Sequence, residues 1–253
     1  MNRLFLLILC AAVTGAAAGC RMDFNPSLKL SDVVKLCDGA AKEQASAEVT
    51  IRFEVSSEKS FEESKDRITQ LLGTMVSDIK NVRCESKDYN NFYAADAKIP
   101  VYRSSQLPDD AKERVCVHAV KVKDEYRIGL YVGRDFLSTL NARIPSDFYA
   151  KVEVKDLFFS FTLTNDTGGK VSAKTYSVYV DGRPAPFVSS MSAEPDASTE
   201  IRLSEIYRDY ICAEGKGFFY EFALEKKEKE TPQKKETPAL PAGKESGKPE
   251  AAK

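Results

Sequence analysis

The sequence predicts an α+β protein: an N-terminal strand-helix-strand-strand module, then a small antiparallel β-sandwich, then a disordered tail. Three observations lead there. Val49, Ile51, Phe53 and Val55 alternate with Glu48, Thr50, Arg52 and Glu54, the period of a half-buried strand. Ile68, Leu71, Leu72, Met75, Val76 and Ile79 fall on one face at helical spacing. After Pro145 the texture becomes strand, turn, strand, turn.

The chain opens with a single charge at Arg3, an apolar run from Leu4 to Val13, and small residues from Thr14 to Gly19. This is the order of a secretory signal, and it falls short of the roughly 20 apolar residues a membrane span needs. "AAGC", residues 17 to 20, resembles the lipobox of bacterial lipoproteins, with Ala17 where Leu is usual. That resemblance implies cleavage after residue 19 and a lipid on Cys20. It also implies an envelope location at the periplasmic face of the outer membrane, because Arg21 is not the Asp that retains such proteins at the inner membrane. A peptidase site at Ala16 to Ala18 is the alternative, and would leave Cys20 a thiol.

The lead segment, 20–46, contains Val33, Val34 and Leu36 on a short helix that Ser31 would cap and Gly39 would end. The first module, 47–145, continues through a helix opened by a capping box of Ser60 and Glu63. Strands are expected around Val82 to Cys84, Phe92 to Tyr102, Val115 to Val122 and Tyr126 to Val132, the last two joined by a turn at 123–125. Asp135 would cap a short helix carrying Phe136, Leu137 and Leu140.

In the second module, 146–224, Leu157, Phe159, Phe161 and Leu163 alternate, and "NDTGG" (165–169) and "DGRP" (181–184) read as hairpin turns. Further strands are expected near Thr199 to Leu203 and Phe218 to Leu224. In outline this half looks like immunoglobulin-like modules, with Tyr210 two residues before Cys212 at tyrosine-corner spacing. The competing reading has Ser204 capping a short helix there. Residues 225–253 hold no aromatic residue, four prolines and two copies of Lys-Glu-Thr-Pro, a composition that cannot offset its ordering entropy.

Six cysteines are present; Cys10 lies in the signal, and lipidation would use Cys20. An even four remain, Cys37, Cys84, Cys116 and Cys212, so two disulfides are expected in an oxidising compartment. Cys84 and Cys116 both fall on predicted strands of the first module, and pairing them leaves Cys37 with Cys212.

His118 is the only histidine, which excludes zinc sites built on two or three histidines and H-E-x-x-H proteases. No G-x-S-x-G, Walker loop, G-x-G-x-x-G or EF-hand spacing occurs, so neither a catalytic residue nor a cofactor is assigned. Between Cys20 and Leu224 stand 28 basic and 32 acidic residues, which gives no footprint for nucleic acid. Two aromatic clusters, Tyr89, Phe92 and Tyr93, and Phe218, Phe219 and Tyr220, suggest a contact surface.

"LSD" at 30–32 and the "NDTGG…VYVDGRP" stretch are similar to uncharacterised lipoproteins carried by bacteria and their phages, a group that supplies no catalytic residues. The expectation is therefore a lipid-anchored envelope protein acting by binding or scaffolding. Its partners would be the membrane, through the lipid, and an envelope protein or the cell wall. An envelope hydrolase using carboxylates and a phage exclusion or immunity lipoprotein are the alternatives.

Overall fold

The structure, a computed structural model, describes residues 21–39, 45–87, 89–107, 114–144 and 151–225. Cys10, Cys20 and the tail after Glu225 lie outside them. Eleven strands share one sheet: β1 (Met22–Lys29), β2 (Ala45–Val55), β3 (Ser77–Lys87), β4 (Asn90–Arg103), β5 (Val115–Val122), β6 (Glu125–Val132), β7 (Leu157–Thr164), β8 (Val171–Val180), β9 (Arg183–Ala193), β10 (Ser198–Leu203) and β11 (Lys216–Leu224). Among the described residues four α-helices accompany them: α1 (Leu30–Asp38), α2 (Glu58–Leu72), α3 (Phe136–Arg143) and α4 (Glu205–Glu214).

This is a correction to the expected sandwich. The strands run β10-β7-β1-β2-β4-β5-β6-β11-β8, and β8 pairs β10 again, closing a nine-stranded barrel. Strands from both sides of Pro145 share it, joined by the parallel pair β1–β7 and the antiparallel pair β6–β11. β3 and β9 hang on the outside of this ring as extra strands on β4 and β8. "NDTGG" makes no hairpin, because β7 is paired by β1 and β10 rather than by β8. "DGRP" does: Asp181 and Gly182 adopt positive φ between β8 and β9.

Alternation places the core inside the ring. Ala47, Val49, Ile51, Phe53 and Val55 of β2 are buried, as are Met22, Phe24 and Leu28 of β1. Phe24 stacks on Phe159 across the β1–β7 joint at 5.4 Å, and Phe161 stacks on Phe219 at 4.1 Å. α2 packs on β2, β3 and β4, with Phe61 6.0 Å from Tyr93 and Thr69 hydrogen-bonded to the Tyr93 hydroxyl at 2.7 Å. The helix starts three residues earlier than its expected cap, on Ser57, and ends at Gly73. Met75 and Val76 therefore reach the core from the turn that follows, and Ile79 from β3.

Helices close both mouths. α1 crosses the mouth where β1, β7 and β11 end. Asp166 accepts from the Ser31 N–H and hydroxyl at its N-terminus, and Arg103 donates to the Leu36 and Gly39 carbonyls at its C-terminus, each at 2.6 Å. Ser31 is thus bound by a distant carboxylate instead of acting as a cap. At the other mouth Ser204 caps α4, accepting from Tyr207 N–H, and Gly215 (φ +84°) ends it. Ile211 turns inward from α4 and is fully buried, so the spacing of Tyr210 and Cys212 belongs to a helix and not to a tyrosine corner.

Asn165 ties the α1 end together. It is 1 % exposed, its Nδ2 donates to the Gly169, Ala193 and Glu194 carbonyls, and its Oδ1 accepts from the Thr167 hydroxyl at 2.7 Å. Asn165→Ala should lower unfolding free energy by about 2–3 kcal/mol, since it strands buried carbonyls. Asn165→Asp should cost more, because it turns a second acceptor on them. Urea denaturation of the two variants checks this order.

Candidate functional site

Apolar side chains fill the ring, and charges such as Glu48, Arg52 and Glu54 of β2 stand on its outer side. Glu221 is the most buried of these charges, at 3 % exposure, and accepts from Arg127, Lys174 and the Tyr176 hydroxyl at 2.6, 2.9 and 3.1 Å. Burial alone would raise its carboxyl, but the hydrogen bonds from Lys174, Arg127 and Tyr176 outweigh that and hold it below the ordinary carboxylate range. The residues involved span β6, β11 and β8, so this network clamps three strands.

His118 sits on the outer side of β5 yet is fully buried. Its cross-strand partner is Gly129, which in turn faces Phe218 on β11. The imidazole lies over the glycine and meets the Phe218 ring at 4.7 Å; a Cβ on residue 129 would come within 2.4 Å of Nε2. Nδ1 is 2.8 Å from the Ser104 hydroxyl, and Nε2 has no hydrogen-bond partner of good geometry. Burial, helped by Lys216, lowers the His118 pKa to about 4 against the weaker pull of the Leu130 and Gly217 carbonyls. A neutral ring packed this way is part of the wall, and among the described residues no carboxylate is hydrogen-bonded to the Ser104–His118 pair.

A notch opens beside it. The free edge of β4 pairs with β3 up to Lys98 and with β5 from Val101, and Pro100, which has no N–H to donate, stands in between. A pocket of about 520 Å³ lies here, lined by Ser46, Thr74, Ser77, Pro100, Tyr102 and Arg114 among others, a largely polar set. No group of three or more His, Cys, Asp or Glu placed to hold a metal occurs among the described residues.

The aromatic clusters do not form one surface. Phe92, Tyr93, Phe219 and Tyr220 are buried, Phe218 is half-buried against His118, and Tyr89 alone is fully exposed, at the β3–β4 tip with φ +67°. The sequence signal for buried aromatics is the alternation on β4 and β11, broken on β11 by a bulge between Phe218 and Tyr220 that lets adjacent rings face different layers.

The expected disulfides are not found: among the described residues Cys37, Cys84, Cys116 and Cys212 are not bridged to one another. Cys84 stands opposite Tyr93, whereas Cys116 is next to Val117, the partner of Val101. Eight residues of β4 separate those positions, roughly 25 Å at ~3.3 Å each, far beyond the ~4.4–6.8 Å a disulfide spans. Cys37 and Cys212 sit on α1 and α4, at opposite mouths. Burial pushes the Cys37 and Cys212 thiols up to about 11.

What the observed geometry defines is a closed β-barrel with a filled interior and helix-capped ends. A family model described as "Domain of unknown function (DUF7424)" matches residues 22–229, most of the chain, and the protein belongs to that family. No curated protein and no solved structure matches it.

Two outcomes follow. The purified protein beginning at residue 20 should release the four barrel thiols to a thiol reagent in denaturant without reductant, and react slowly when native; two or fewer would restore the disulfides. For His118, the folded pKa lies below the unfolded value of about 6.5. Its contribution to stability is therefore complete above pH ~6.5 and is lost as pH falls toward 4, about 3 kcal/mol in all. Stability measured at pH 7 and pH 4 should fall by less in His118→Asn than in wild type.

Proposed function

We propose that this protein is a lipid-anchored cell-envelope protein whose barrel serves as a binding or scaffolding module, without catalysis. The observation that carries the reading is where the fold begins. Every strand among the described residues lies at or after Met22, and Arg21, the residue that follows Cys20, is already fixed to the barrel. Its N–H donates to Glu54, its carbonyl accepts from the Glu54 N–H at 2.9 Å, and its guanidinium forks onto Asp23. The family match starts at residue 22 as well. A cut before Cys20 would thus remove a leader and leave the barrel whole.

Binding is favoured over chemistry because the ring is packed with side chains, the lone histidine is built into the wall, and Glu221 is spent on ion pairs. No helix among the described residues is long and apolar enough to cross a membrane, so attachment in this reading rests on the lipid.

Growth with an alkyne fatty acid should label the wild-type protein and place it in the membrane fraction. Cys20→Ser should abolish the label and release the protein with an unchanged melting temperature, because the first described strand begins at Met22. A mature wild-type protein that carries no label would defeat the proposal.

A further inference from the structure

The two strands that hang on the ring are covered differently. α2 packs on β3 as well as on β2 and β4, whereas β9 makes its extensive contacts with β8 alone among the described elements. Across the β8–β9 pair, Ala173 stands opposite Met191, Thr175 opposite Ser189, Val178 opposite Ala185 and Val180 opposite Arg183. This is the face whose Val171, Ala173 and Val178 belong to the core.

Under β9 that face leaves a cavity of about 570 Å³, lined by Thr175, Val180, Asp181, Arg183, Ser189 and Met191 among others. Its size is that of a preformed small-molecule site. Exposure rises along it. Thr175 is 0 % exposed, Ser189 and Met191 are half-buried, and Asp181 and Arg183 are exposed. Five residues of β8 separate Val180, the partner of Arg183, from Thr175, roughly 16 Å at ~3.3 Å each. The site is therefore elongated, with charges at one end and a hydroxyl at the other.

The Thr175 hydroxyl is buried and has no hydrogen-bond partner. A stranded hydroxyl is destabilising where valine would fill the same space without penalty, so its presence in a cavity wall points to a partner that enters the cavity.

The charged end is also arranged for a visitor. Asp181 is fixed, since its N–H donates to the Glu200 carbonyl and its Oδ1 accepts from the Glu200 N–H, each at 2.9 Å. That bond uses one of its two carboxylate oxygens. Arg183 makes no side-chain hydrogen bond or ion pair among the described residues. A guanidinium takes a carboxylate in its fork, and a carboxylate takes an ammonium. An acid and a base two residues apart, facing one cavity and not paired with each other, match a ligand whose opposite charges are adjacent.

We propose that the cavity under β9 binds a free amino acid with a long, uncharged, polar-ended side chain. Its carboxylate lies on Arg183 and its ammonium on Asp181. The aliphatic part of its side chain runs along Val180 and Met191, and its polar end bonds the Thr175 and Ser189 hydroxyls. This rests on the binding half of the reading above and is independent of the lipid anchor, so the fatty-acid label and a ligand titration succeed or fail separately.

The test is a heteronuclear NMR titration of the full-length protein with L-glutamine, L-norleucine and N-acetyl-L-glutamine. L-glutamine should shift the Thr175 and Asp181 amides saturably. N-acetyl-L-glutamine, which lacks the ammonium, should bind about tenfold more weakly or worse, the weight of one charge-assisted hydrogen bond. Arg183→Gln should weaken L-glutamine by a similar factor. L-norleucine, which lacks the polar end, should bind wild type more weakly than L-glutamine does. Thr175→Val should close that gap while melting at the same temperature or higher. The proposal is overturned if L-glutamine gives no saturable shift up to its solubility limit, or if Arg183→Gln binds it unchanged. It is equally overturned if L-norleucine binds wild type as well as L-glutamine does, a comparison that needs no variant to fold.

Discussion

The parallel pairing of β1 with β7 is the contact on which the architecture depends. It runs in register from Met22–Leu157 to Lys29–Thr164, joining positions 135 residues apart. Without it the sheet would present β1 and β7 as two long edges, each a template for association with another chain. With it, and with the β8–β10 pairing, the ring closes and those edges vanish. The stacked rings of Phe24 and Phe159 lie across this joint, and Phe136 of α3 meets Phe24 edge-on at 6.1 Å. The most non-local backbone contact is thereby reinforced by apolar burial, the term with the greatest weight in folding. Such a contact carries a loop-closure entropy cost that local contacts do not, so its side-chain reinforcement helps to make the closed barrel preferable to two separate halves.

Local elements were legible because their signals are local. The alternation of Val49, Ile51, Phe53 and Val55, the turn at 123–125, the positive-φ pair at Asp181 and Gly182, and the Ser204 cap all appear where the residues imply. Partner choice was not legible, since alternation shows that a strand has a buried face but not which strands flank it. "NDTGG" illustrates the gap. Its glycines suit a hairpin, yet Asn165 and Asp166 are used for long-range bonds to β9 and α1, and β10 occupies the edge a hairpin would have needed. The helical stripe was over-extended for a related reason: Met75, Val76 and Ile79 keep helical spacing but reach the same core from a turn and a strand.

The cysteines show what parity can and cannot decide. An even count and an oxidising compartment favour pairing, but bridging also requires proximity, and proximity is a property of the closed ring. Closure puts Cys37 and Cys212 at opposite mouths and sends Cys84 and Cys116 to different halves of β4. Cys116 is fully buried and the other three are half-buried, each packed into the fold as a small apolar group. The stapling role expected of disulfides falls instead to polar clamps: Asp166 and Arg103 on the two ends of α1, Asn165 beneath it, and Glu221 across three strands of the wall.

Closure leaves two edges unpaired, on β3 and β9, and each is irregular in a way that discourages strand addition. β3 carries register shifts and positive φ at Asp78 and Asn81, and Lys80 and Lys87 lie along it. β9 begins Arg183-Pro184-Ala185-Pro186, so two N–H donors are missing in four residues, and Phe187 then adopts φ +57° opposite a shift at Ser177. A straight, donor-rich edge is a template on which another chain can add a strand. Proline, bulge and lysine at the two free edges, together with closure of the ring, give this barrel the means to remain a separate unit.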